Sequence, residues 1–246
     1  MMGRQARRGF TIIETMLVLG ISGMMLAGMM VGVGAGIASQ RYKDSVSSLV
    51  DYFQGQYSLV ANVNNPRDNQ SYCNATSGIV TTPEIAPRAT SDCTIVGRLL
   101  RGDTSTVTSI PIYATVDPDT LMAESDALVA LSKLDMVEDV DRSDAYDLEW
   151  GARMYPMGAQ ASNYMFTVAI IRSPFSGAVN TFVDSTGSTT TIGGLLNSGS
   201  LLNNLELCVD SSGGMSNVNS SPLGVKIAPN AASSAGVAMI GEGGGC

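Results

Sequence analysis

A predominantly apolar run extends from Phe10 to Ala38, and Glu14 is the only charge within it. As an α-helix this run would be ~43 Å long, enough to cross a hydrocarbon core of about 30 Å with some tilt. Beyond it the pattern changes. Tyr42, Val46, Leu49, Val50, Phe53, Tyr57 and Val60 recur at three- and four-residue steps, which draws one apolar stripe along an otherwise polar helix. Asn62, Asn64, Asn65 and Pro66 then end the periodicity. The pattern predicts a single helix from Phe10 to about Ala61. Its first half belongs in a membrane or an assembly, and its second half lies on a globular head.

The head, residues 62–246, carries short β-favouring runs separated by Gly, Ser and Asn clusters. They are Thr94–Leu100, Val107–Val116, Tyr164–Ile171, Leu205–Asp210, Val225–Ile227 and Val237–Ile240. An antiparallel sheet packed on the second half of the helix fits them, so the expected fold class is α+β. Leu121–Leu134 reads as a helix, whereas Leu195–Leu205 is compatible with a short helix or an irregular loop. Half of the 22 acidic residues fall between Asp117 and Glu149. Asp135–Glu149 is too charged for a core and reads as a solvated acidic face or insertion.

Charge placement orients the apolar run. Arg4, Arg7 and Arg8 stand just before it with no comparable cluster after it, which places the N-terminus in the cytoplasm. A carboxylate inside such a helix costs about 3 kcal/mol on insertion, so Glu14 calls for a partner. A secretory signal peptide cut after Gly36-Ile37-Ala38 would have an apolar region about twice the usual length with a charge inside it. A plain anchor leaves Glu14 unexplained.

The residues Gly9, Phe10, Thr11, Ile12, Ile13 and Glu14 after a short basic leader resemble the junction of the type IV pilin and pseudopilin family. The resemblance implies cleavage between Gly9 and Phe10, removal of residues 1–9 as a leader, and methylation of the new Phe10 amine. It also implies that the Phe10 amine pairs with Glu14 of a neighbouring subunit, because buried charges are tolerated when paired. Residues 10–38 would then be a membrane span and later a filament core. The implied partners are copies of this chain and related pilins, a prepilin peptidase, an assembly ATPase and an inner-membrane platform protein. The implied role is a subunit of an extracellular fibre serving adhesion, twitching motility or DNA uptake. A pseudopilin of a type II secretion system is the nearest alternative, and an adhesion module with an ordinary targeting segment is the next. Val31 stands where many pilins carry a proline, although Gly32, Gly34 and Gly36 weaken the helix in the same region. Gly28 and Gly32 form a spacing that permits close helix approach.

The remaining chemistry is sparse. The chain contains no histidine, which removes Ser-His-Asp and Cys-His catalysis and disfavours zinc. There is no phosphate-binding glycine loop, and no enzyme activity or cofactor is expected. The net charge is −8, and loss of Arg4, Arg7 and Arg8 with the leader makes it −11, which disfavours nucleic acid as a partner. Arg88, Arg98 and Arg101 read as a local basic patch or as ordinary surface charges. Glu138, Asp139, Asp141 and Asp144 are the candidate oxygen ligands for calcium, although no EF-hand pattern surrounds them. Asn69, Asn74 and Asn219 begin glycosylation-type tripeptides and mark exposed loops. Four cysteines in a region expected to be exported allow three pairings. Cys73–Cys93 closes a short loop, and Cys208–Cys246 fastens the glycine-rich terminus. Pilins often secure a C-terminal region by such a bridge, so the resemblance favours the second pair.

Overall fold

The structure is a computed structural model, and it describes residues 11–64, 66, 71–74, 78–81, 93–115, 131, 134–158, 164–188, 191–197, 200–210, 222–241 and 246. Helix α1 (Ile12–Ala61) runs for 50 residues without interruption, through Gly28, Gly32, Gly34 and Gly36. Thr11 caps its N-terminus in extended conformation, and Asn62 closes it by donating its backbone N–H to Ser58. The glycines do not break it, because each costs only about 1 kcal/mol against the helical bonds on either side.

Among the described residues twelve strands follow: β1 (Ser71–Asn74), β2 (Gly78–Thr81), β3 (Cys93–Gly102), β4 (Thr106–Thr115), β5 (Met136–Glu138), β6 (Asp144–Asp147), β7 (Arg153–Pro156), β8 (Phe166–Arg172), β9 (Val179–Asp184), β10 (Leu205–Asp210), β11 (Leu223–Ile227) and β12 (Val237–Ile240). A short helix α2 (Ile192–Asn197) and a 3-10 turn at Ser200–Leu202 fill the stretch left open as helix or loop. All described pairings are antiparallel. One sheet has the order β5-β4-β3-β8-β9 with β6 also on the outer edge of β4, a second has the order β12-β11-β10-β7, and β1 pairs with β2 alone. The α+β architecture with a long N-terminal helix and an antiparallel head is therefore the observed one.

The larger sheet is buried on both faces, and strand alternation decides which residue meets which core. Leu100, Val107, Phe166, Val168, Ile170 and Val183 face α1, where they join Tyr42, Val46, Leu49, Val50, Phe53, Tyr57 and Val60. Leu99, Ile110, Ile112, Ala169, Ile171 and Phe182 face the other way and pack against Ile192, Leu195 and Leu131. The smaller sheet contributes Met154, Leu207, Val209, Val225, Ile227 and Val237 to the α1 side. Every residue of the apolar stripe read from the helix pattern is buried. The bulge between Ile95 and Gly97 in β3 sits where the chain crosses the carbonyl of Ile170, leaving no room for a side chain at Gly97.

Asp135–Glu149 is largely the solvated acidic face expected, with Asp135, Asp141, Asp144, Asp147 and Glu149 exposed, yet it is built into the sheet: β5 and β6 both pair with β4, and Asp139 (4% exposed) and Leu148 are buried. Its charge is tolerated because Glu138 pairs with Arg101 and also accepts from the Ile192 N–H (3.0 Å), while Asp139 pairs with Arg142 at 2.9 Å. Arg98 belongs to no basic patch. It is 8% exposed and donates to Ser109 Oγ (2.8 Å), which in turn donates to Gln56 Oε1 on α1 (2.7 Å). Burial lowers its pKa from the ordinary arginine value, opposed by Tyr52, Asp144 and Tyr113. Strands β1, β2, β5, β6, β7 and β9 are not among the predicted runs, because their apolar positions are few or interrupted. Most of Leu121–Leu134, Arg88, Val116 and the tripeptides at Asn69 and Asn219 lie outside the described residues, as does the side chain of Asn74.

Candidate assembly site

The site is the first half of α1. Fifteen large apolar side chains from Ile12 to Ile37 stand in the open, between 46% and 82% exposed. Covering them would release on the order of 20 kcal/mol at the usual value for burying an aliphatic side chain, which exceeds the whole stability of an ordinary domain. Nothing in the described head covers this half. It is the one described helix long and apolar enough to cross a membrane by length and composition.

Glu14 sits in the first turn of this helix. Its backbone N–H donates to the Thr11 hydroxyl (3.3 Å) and to the Thr11 carbonyl (3.0 Å). Thr15 Oγ1 donates to the Ile12 carbonyl at 2.9 Å. A carboxylate here is favoured by the positive end of the helix dipole. The carboxylate itself has no hydrogen bond or ion pair among the described residues, so its charge is available to an outside cation. Thr11 is the functional residue that the pattern reading missed. The Thr-x-x-Glu spacing from Thr11 to Glu14 is a capping-box signature, and it would have located the helix start.

The second half of α1 is held to the head by polar bonds as well as by packing. Tyr42 Oη donates to the Val209 carbonyl (2.8 Å) and accepts the Leu223 N–H (2.6 Å). Tyr57 Oη lies 2.9 Å from Thr181 Oγ1. Because Thr181 spends its proton on the Ala231 carbonyl (2.6 Å), Tyr57 is the donor. Tyr52 stacks on Tyr146 with ring centroids 4.6 Å apart. The assembly half is thus mounted on a rigid base.

Cys208 of β10 and Cys246 form a disulfide with Cα atoms 5.5 Å apart. Gly224, opposite Cys208 on β11, leaves space for the Cys246 sulfur, which would lie 2.9 Å from a β-carbon there. Cys93 is disulfide-bonded as well. The side chain of Cys73 lies outside the described residues, as do Gly9, Phe10 and residues 242–245. The structure does not bring Glu138, Asp139, Asp141 and Asp144 together: among the described residues no group of three acidic, histidine or cysteine side chains is placed to share a metal ion. Arginines already occupy Glu138 and Asp139.

Residues 4–30 match the family model of the prokaryotic N-terminal methylation motif. That match marks a prepilin-type segment and supports a type IV pilin- or pseudopilin-like protein. Such a motif implies processing by a prepilin peptidase and assembly into pilin filaments, and it points to a structural subunit. Together with the apolar helix it fits a membrane-anchored precursor. No curated protein and no solved structure matches the chain.

Proposed function

We propose that this chain is a structural subunit of an extracellular type IV pilus-like filament. The peptidase would cut between Gly9 and Phe10, the Phe10 amine would be methylated, and residues 1–9 would be lost as a leader. The mature chain would then comprise the helix, residues 10–61, and the head, residues 62–246. The observation that supports this reading is the continuity of α1: a half built into the head leads straight into a half that is apolar, exposed and marked by one carboxylate with no partner among the described residues.

Before assembly the uncovered half sits in the inner membrane, with the N-terminus in the cytoplasm. During assembly an ATPase and a platform protein move it out of the lipid and against the same half of other subunits. Lipid chains and neighbouring helices are equally apolar, so burial alone does not define the register. Pairing of Glu14 with a neighbour's Phe10 amine does, since an unpaired charge in the filament core is costly. The heads form the outer surface, and adhesion, twitching motility or DNA uptake would be properties of the fibre.

The test is to shear surface fibres from cells making the wild-type chain or Glu14→Ala and probe for the chain in fibres and membranes. Wild type should appear in both, and the variant in membranes alone. Wild-type chain absent from sheared fibres, with protein secretion lost on its deletion, would instead assign it to a type II secretion pseudopilus.

A further inference from the structure

The chain has a single tryptophan, and its placement is unusual. Trp150 is 48% exposed and adopts a left-handed backbone conformation, φ 60° and ψ 22°. For a bulky side chain that conformation is an outlier that neighbouring contacts must impose. They do. Leu148 and Ala152 on either side are buried. The Leu148 N–H donates to the Ser105 carbonyl (2.8 Å) and the Met154 N–H to the Thr104 carbonyl (2.7 Å). Ser45 of α1 donates to the Glu149 carbonyl at 3.3 Å. The loop is pinned at both ends and to the helix, and the indole is pushed outward. The Arg41 guanidinium stands 4.5 Å above the ring centroid, within the range of a cation–π contact.

The level at which this occurs gives it meaning. Side chains from Ile12 to Ile37 are exposed wherever described, Ala38 and Ser39 are the first to be half-covered, and Tyr42 is buried. Arg41 is the first charge after the apolar run. If Met29, Met30, Val31, Val33 and Ile37 are to leave water in the precursor, the helix must tilt and sink until Ile37 reaches the hydrocarbon boundary. Arg41 then lies about 6 Å further out along the helix, at headgroup depth. Tryptophan and arginine are the side chains that suit this zone, with an amphipathic ring and a snorkelling cation. Asp44 and Glu149 share the level, so the surface is no basic patch, and the fit is to zwitterionic as much as to anionic lipid.

We propose that Trp150, clamped beneath Arg41, seats the head on the headgroup layer of the membrane that α1 crosses. The proposal rests on the membrane-anchored reading given above. It assigns the precursor a docked orientation, with the face around Trp150 against lipid until the subunit is extracted.

The single tryptophan makes the test direct. The full chain is reconstituted at low protein-to-lipid ratio into phosphatidylcholine vesicles whose acyl chains are brominated either close to the headgroup or near the chain ends. Vesicle flotation is scored alongside Trp150 fluorescence. The expected result is co-flotation, with the shallow label quenching about twice as strongly as the deep label, as an interfacial ring should. Chain that floats while neither label quenches, Trp150 remaining open to an aqueous quencher, would overturn the docking surface and leave the span intact. Chain that fails to float would overturn the span and the docking together. Trp150 that neither label quenches and that an aqueous quencher cannot reach until protein is diluted further in lipid would give this face to a second copy and refute the lipid contact.

Discussion

The two halves of α1 share one backbone and have opposite surroundings. From Tyr42 to Val60 the apolar side chains are buried against both sheets, and the tyrosine hydroxyls reach strand carbonyls and Thr181. From Ile12 to Ile37 equally apolar side chains meet nothing in the described part of the head. The stripe of the second half is narrow because the head covers one side only. The first half is apolar all round, as befits a rod that lipid or other helices will surround. The comparison separates two uses of the same residue types: intrasubunit packing that fixes the fold, and a surface reserved for assembly.

The largest expected effect falls on the uncovered half. Glu14→Lys replaces the carboxylate proposed to pair with the Phe10 amine by a repelling cation and should reduce fibre incorporation to background while the chain stays in membranes, as read by blotting sheared fibres and membrane fractions. Normal fibres would erase the distinction between the halves. The next effect lies in the head. Cys246→Ser opens a loop with a sequence separation of 38 and should lower head stability by about 4 kcal/mol on the chain-entropy account. Denaturant unfolding in detergent, followed by Trp150 fluorescence, measures it.

A matched pair sharpens the contrast. Leu49→Ala, in the buried stripe, should cost about 3 kcal/mol in the same assay. Leu19→Ala, 72% exposed, should stay within about 0.5 kcal/mol and instead weaken incorporation into fibres. Equal losses would mean that the first half also packs on the head. A smaller pair probes the polar bonds. Tyr57→Phe removes the donor to Thr181 and should cost about 1 kcal/mol. Tyr164→Phe should be near neutral, because the Tyr164 hydroxyl is buried without a hydrogen-bond partner among the described residues.

Tyr164 also gives a pH signature. Burial, with a smaller contribution from Asp184, pushes its pKa up to about 12 from 10.0. The unfolded chain therefore ionises this group first. Its contribution to stability is present below pH ~10 and is lost as pH rises towards ~12. Head stability measured across that window should fall for the wild type and fall less for Tyr164→Phe.

Much of this molecule is legible in its sequence. The seven stripe residues from Tyr42 to Val60 lie in the core because helical periodicity is a local property, and strands such as Leu205–Asp210 and Val237–Ile240 announce themselves by composition. Glu14 was conspicuous as the one charge in an apolar run. The parts that stayed hidden depend on distant partners. Met136–Glu138 and Asp144–Asp147 look like acidic loop, and only the open edge of β4 and the arginines at 101 and 142 make them strands. Arg98 looks like surface charge until Ser109 and Gln56 are seen beneath the helix. Trp150 carries no pattern at all, since its exposure comes from a loop pinned to the turn between β3 and β4 and to Ser45.

A filament subunit of this kind must keep the uncovered half of α1 in its mature form. Intact-mass and N-terminal analysis of the chain recovered from cells decides this. The predicted product begins at a methylated Phe10 and retains the rod through Ile37. A product beginning at Ser39, with the rod removed, would contradict it.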